Sequence, residues 1–95
     1  MDFDGLFCLS DNIAFGAIRA LTQLGVDVPG AVKVIGFDNS IYSTISSPTI
    51  TTVDRDLDAM ARIACEKLLE RMESKDSLGE EEIVIEGKLI QRESC

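Results

Sequence analysis

The sequence predicts an α/β fold built on a parallel βαβ unit, and three features carry that expectation. Gly5-Leu6-Phe7-Cys8-Leu9 and Val32-Lys33-Val34-Ile35-Gly36-Phe37 are short apolar, β-rich runs of the kind a parallel sheet covers on both faces. Residues 11–24 between them carry apolar residues at helical spacing, with a capping residue in front and a glycine behind. Strand, helix and strand in that order make a βαβ unit with parallel strands.

In the first helix, Ser10 is a good N-cap, Asp11 suits the positive end of the helix dipole, and Gly25 supplies the stop. Its expected core stripe is Ile13, Ala17, Ala20, Leu21 and Leu24. At 100° per residue Phe15 falls nearly opposite Ile13, Ala17 and Leu24, so it reads either as an isolated exposed aromatic or as a second buried contact, with another subdomain or another copy of the chain. Val28-Pro29-Gly30 makes a turn, and the second β run ends at Asp38. Residues 39–49, rich in Asn, Ser, Thr and Pro, read as a loop in which the apolar Tyr42 and Ile45 extend the Phe15 patch. Ile50-Thr51-Thr52-Val53 favours a short extended segment. Asp54, Asp56 and Asp58 then open a second helix, about Asp56 to Met72, with the stripe Leu57, Met60, Ala61, Ala64, Leu68 and Met72. A charged linker is expected over 73–82, its Glu80-Glu81-Glu82 run solvated. Ile83-Val84-Ile85 and Leu89-Ile90 read as one or two terminal strands interrupted at Glu86-Gly87. There is no internal repeat.

Composition narrows the function classes. The 95 residues, 45% of them apolar, allow one domain or part of one with a modest core. Nine basic against 17 acidic residues give a formal net charge of −8, which repels a phosphate backbone and argues against direct nucleic-acid binding by this chain. The three cysteines form no CxxC pair and there is no histidine, so no zinc site is expected. They read instead as reduced thiols in a cytoplasmic protein, with Cys8 and Cys65 filling core. Asp2 and Asp4 stand where a signal peptide would be basic, and no run approaches the roughly 18 apolar residues of a membrane span, so a soluble protein is expected.

The chemistry-bearing residues sit at strand ends. In open parallel sheets the ligand crevice lies beyond the carboxyl ends of the strands. Ser10 and Asp11 follow the first strand and Asp38 the second, offering a hydroxyl and carboxylates to the hydroxyls or ring nitrogens of a small molecule. The plainer readings are that Ser10 and Asp11 cap a helix and Asp38 begins a turn. No catalytic signature accompanies them: there is no histidine base, GxSxG elbow, Walker loop or GxGxxG fingerprint. An Asp11–Asp38 acid pair or Mg²⁺ site would suit a phosphotransfer enzyme, but no lysine or arginine follows a nearby strand end to hold phosphate. No enzyme, cofactor, catalytic residue or metal ligand is assigned.

Five ordered motifs give the chain a family resemblance. They are Ser10-Asp11-Asn12-Ile13-Ala14-Phe15-Gly16-Ala17, Leu24-Gly25-Val26-Asp27-Val28-Pro29, Val34-Ile35-Gly36-Phe37-Asp38-Asn39, Pro48-Thr49-Ile50-Thr51-Thr52-Val53 and Leu89-Ile90-Gln91-Arg92-Glu93-Ser94. Together they resemble the C-terminal part of the effector-binding region of LacI/GalR (lactose-repressor) transcriptional regulators. The resemblance implies a fragment of the two-lobed periplasmic-binding-protein-like (type I) fold, with residues 1–53 in one lobe and 54–95 returning to the lobes. By the same resemblance Asp38 is the acidic effector contact, Ser10 stands where relatives often place Asn, and Phe15, Tyr42 and Ile45 fall at a dimer interface. The implied partners are a sugar-like or nucleoside-like effector, a second copy of the chain, and operator DNA reached only through an N-terminal head absent here. A periplasmic sugar-binding protein shares the fold and the Asp38 position, and is the nearest alternative.

Overall fold

The computed structural model describes residues 2–74 and 79–95. The chain divides into two compact units, Met1–Asp54 with Lys88–Cys95, and Arg55–Gly87. In the first unit β1 (Gly5–Phe7) leads into α1 (Asp11–Gln23) and β2 (Lys33–Ile35), and β1 pairs with β2 in parallel, Leu6 opposite Val34. This is the expected βαβ unit. A parallel bridge from Ile35 to Thr51 joins on the next segment, β3 (Thr52–Asp54), which pairs antiparallel with a late strand at Lys88–Ile90.

α1 begins and ends where its capping chemistry places it. The Ser10 hydroxyl accepts the Ile13 N–H at 3.2 Å, and Gly25 takes the positive φ, +75°, that follows a helix C-terminus at low steric cost. The buried face, however, is Asp11, Ala14, Ile18 and Leu21, with Phe15 and Ala17 packed at its margins. Ile13, Ala20 and Leu24 of the expected stripe are exposed, so the stripe is turned by one residue. The cause is Asp11, a buried carboxylate that begins the inward row and that an apolar periodicity passes over. Phe15 is accordingly a half-buried neighbour of the core rather than an outlier opposite it. That core is Cys8, Ala14, Ile18, Leu21, Val28, Val32, Val34 and Ile50. Burial pushes the Cys8 thiol above its ordinary range, so it stays protonated and slow to react.

Other expectations are corrected. The strands are three residues each and not covered on both faces: Phe7 and Leu9 are exposed. The loop over 39–49 contains a short helix, α2 (Ile41–Ile45), whose first turn is closed by the Ser43 hydroxyl donating to the Ser40 carbonyl at 2.6 Å. Residues 83–85 form no strand, and Cys65 is exposed rather than core filling.

In the second unit α3 (Leu57–Glu73) is capped by Asp56, whose side chain accepts the Ala59 N–H at 3.3 Å. None of its residues is buried, and of the expected stripe Leu57, Leu68 and Met72 are well exposed. The face that meets the segment after the helix keeps Met60 and Ala64 of that stripe and adds Ile63, Lys67 and Arg71, which with Glu81, Ile83 and Ile85 bound a groove of about 260 Å³. Lys67 pairs with Glu81 at 3.2 Å and Glu70 at 3.4 Å, and these acids raise its pKa. Glu81 is therefore more than a solvated charge. Of the linker expected over 73–82, residues 75–78 lie outside the described residues. No described helix is long and apolar enough to cross a membrane.

Candidate effector-binding site

The parallel pairing of β1 and β2 brings the carboxyl ends of both strands together. Cys8 N–H donates to the Ile35 carbonyl at 2.8 Å and Asp11 N–H to the Phe37 carbonyl at 2.9 Å, so the start of α1 is stitched to the loop after β2. That loop, Gly36 to Ser40, is held by the three consecutive amides at its far end. Asp38 N–H donates to the Val53 carbonyl at 2.9 Å, Asn39 N–H to the Thr52 hydroxyl at 3.2 Å, and Ser40 N–H to Asp11 Oδ2 at 2.6 Å. Asp38 and Asn39 both have positive φ, +107° and +54°. Asn and Asp tolerate such angles better than most residues, yet each still costs of order 1–3 kcal/mol and persists only where surrounding bonds over-determine it.

Each candidate occupies a different kind of place. Asp38 is half-buried in the loop three residues beyond β2. Ser10 is half-buried and caps α1 through its hydroxyl. Asp11 is fully buried: Oδ2 takes Ser40 N–H and Oδ1 takes the Thr52 hydroxyl at 2.6 Å, so it presents no surface to a ligand. Gly36 makes room for it, since a Cβ there would lie 2.3 Å from Asp11 Oδ1 and 3.2 Å from Ile50 Cγ2. Phe15 and Tyr42 meet edge to face with ring centroids 5.4 Å apart, while Ile45 is exposed beyond them. A concavity of about 670 Å³ bordered by Phe3, Asp4, Val26, Asp27 and Val32 lies at the amino ends of the strands, away from Ser10 and Asp38.

The sequence reading took the C-terminal tail only as a family motif and gave its residues no role in the fold. Ser94 is fully buried; its hydroxyl accepts Thr51 N–H at 2.9 Å and donates to the Val34 carbonyl. Arg92 reaches Ile50 O at 3.1 Å and Asn39 Oδ1 at 2.8 Å. Glu93 accepts both the N–H and the hydroxyl of Thr49, at 3.0 and 2.9 Å, and these bonds lower its pKa. The contribution of Glu93 to stability is thus present above the ordinary glutamate pKa and is lost as pH falls through the lowered folded value. Glu93→Gln is expected to flatten that acid limb when urea midpoints are compared across pH 3–6; an unchanged slope would refute it.

The sequence over residues 2–95 matches the family described as periplasmic binding protein-like domain. The chain belongs to that family. The HTH-type transcriptional regulator RegA of Clostridium saccharobutylicum is 40% identical over 92 residues, covering 97% of this chain and 27% of that protein. A solved transcriptional regulator CelR–cellobiose complex superimposes with a TM-score of 0.89 at 31% identity, covering 99% of this chain and 28% of that one. A LacI-type transcription regulator from Bifidobacterium animalis subsp. lactis gives 0.86 at 36% identity, over 96% and 32%. The chain spans about a quarter of the length of RegA.

Proposed function

We propose that this chain is the C-terminal part of a LacI-type transcriptional regulator and supplies one wall of its carbohydrate-binding crevice, with Asp38 as the principal effector contact and Ser10 as a second. The observation that carries the reading is the Asp38 loop: a carboxylate in the loop that follows a parallel strand, on a backbone held at positive φ by hydrogen bonds, where such folds take ligands. The relatives support a regulator over a periplasmic sugar-binding protein, since those described are named as transcriptional regulators and one holds cellobiose. In this reading the protein is cytoplasmic and not an enzyme, residues 1–53 and 54–95 contribute to a lobe and to the returns between lobes, and a separate N-terminal head binds DNA. The net charge of −8 accords with leaving DNA to that head. Effector closure of the lobes biases DNA affinity.

The test is fluorescence anisotropy of labelled operator with the full-length regulator. Cellobiose, maltose or sucrose is expected to shift the operator affinity, and indifference to all three would overturn the carbohydrate class.

We further propose that Phe15, Tyr42 and Ile45 lie on a face that joins two copies of the chain. Ile45 is 62% exposed and leaves the core untouched when changed. Ile45→Glu is expected to shift sedimentation toward monomer at an unchanged melting temperature; an unchanged mass would remove the interface.

A further inference from the structure

We propose that Arg92 is a positioning residue for the effector site, setting the conformation of Asp38 through Asn39. The inference rests on the reading of Asp38 as an effector contact and adds the device that holds it in place.

The geometry is specific about direction. One guanidinium nitrogen of Arg92 donates to Asn39 Oδ1 at 2.8 Å and the other to the Ile50 carbonyl at 3.1 Å. Asn39 Nδ2 donates to Asp54 Oδ2 at 3.2 Å. Arginine has no acceptor and the Asp54 carboxylate offers acceptors, so the Asn39 amide is orientated one way only, its oxygen toward Arg92 and its nitrogen toward Asp54. A planar guanidinium spanning two acceptors fixes both angle and distance in a way a lysine ammonium does not. Arg92 is itself anchored, its N–H donating to Thr51 Oγ1 at 2.8 Å and its carbonyl accepting from that hydroxyl at 3.2 Å.

Asn39 follows Asp38 directly, and the two carry consecutive positive φ angles. Strained backbone of that kind persists only where its surroundings over-determine it, and beside the bonds to the three loop amides the Asn39 side chain is gripped as well. Asp11 holds Ser40 on one side of the pair; Arg92, arriving 53 residues later in the chain, holds Asn39 itself. The C-terminal tail therefore does two separable things. Ser94 staples it to β2 and Thr51, and Arg92 grips the effector loop.

The experiment separates these roles and needs no ligand. Amide hydrogen exchange is followed by NMR in the 95-residue chain for wild type, Arg92→Met, Arg92→Lys and Ser94→Ala, with rates at Asp38 and Asn39 referred to the sheet amides of Cys8 and Lys33. Arg92→Met is expected to speed exchange at Asp38 and Asn39 about tenfold relative to the sheet and to move the Asn39 side-chain NH₂ resonances. Ser94→Ala is expected to speed all of these amides together, and Arg92→Lys to recover part of the local protection. Equal relative rates in Arg92→Met and Ser94→Ala, or unmoved Asn39 resonances, would overturn the proposal and leave Arg92 a tail anchor. Should Arg92→Met not fold, the same comparison in Arg92→Lys decides. Loss of carbohydrate binding in Asp38→Ala bears on the effector site alone, so the two ideas fail independently.

Discussion

Asp11→Ala is expected to lower the unfolding free energy by about 3–5 kcal/mol. Asp11 is fully buried and accepts from Ser40 N–H and the Thr52 hydroxyl, both at 2.6 Å. A buried donor left without its acceptor costs about 1–3 kcal/mol, and alanine leaves both donors buried without a partner. A chain of this size has a total stability of only about 5–14 kcal/mol, so the variant sits close to unfolding. The loss should spread beyond α1, because Thr52 in turn receives Asn39 N–H and Ser40 opens α2. Asp11→Asn keeps one acceptor and should lose roughly half as much. Urea unfolding followed by far-UV circular dichroism measures both, and a midpoint for Asp11→Ala within error of wild type would mean that the carboxylate is not the tie between helix, loop and β3 described above.

Gly36→Ala is the second large effect, and its cause is space rather than backbone freedom. The added methyl would stand 2.3 Å from Asp11 Oδ1, 3.2 Å from the Asp11 backbone and 3.2 Å from Ile50, itself fully buried. Backbone cannot swing aside as a side chain can, so the loop and helix start must separate. Overpacking of this kind costs about 1–3 kcal/mol, and here it also stretches the Asp11 bonds, placing the variant at the upper end. The combination of Gly36→Ala with Asp11→Ala should destabilise by less than the sum of the two, because each damages the same contact. Strict additivity in denaturation midpoints would contradict the coupling.

The βαβ unit was legible because its signals are local: two short apolar runs, Ser10 in front of a helix and Gly25 behind it. The inward face of α1 was not, since an apolar periodicity discards Asp11 and so turns the stripe by one residue. The short helix at Ile41–Ile45 was hidden for a related reason. Its Ser- and Thr-rich composition reads as loop, yet Ser43 and Thr44 donate back to the Ser40 and Ile41 carbonyls and support a single turn. Strand ends draw attention by rule, and that led to Ser10, Asp11 and Asp38. The same rule could not distinguish a half-buried acid from one fully enclosed by a serine amide and a threonine hydroxyl, because the enclosing partners arrive 29 and 41 residues later. Arg92 and Ser94 were legible only as part of a motif and their bonds were not, for the same reason of distance, each acting on residues more than 40 positions away.

The central claim is that Asp38 contacts a carbohydrate, and calorimetric titration of the full-length regulator with cellobiose, maltose and sucrose tests it most directly. Wild type is expected to bind at least one of the three, and Asp38→Ala to weaken that binding by about 1–3 kcal/mol, roughly 5- to 150-fold in Kd, the cost of leaving ligand hydroxyls unpaired in a closed crevice. Equal affinity in wild type and Asp38→Ala would contradict the assignment of Asp38.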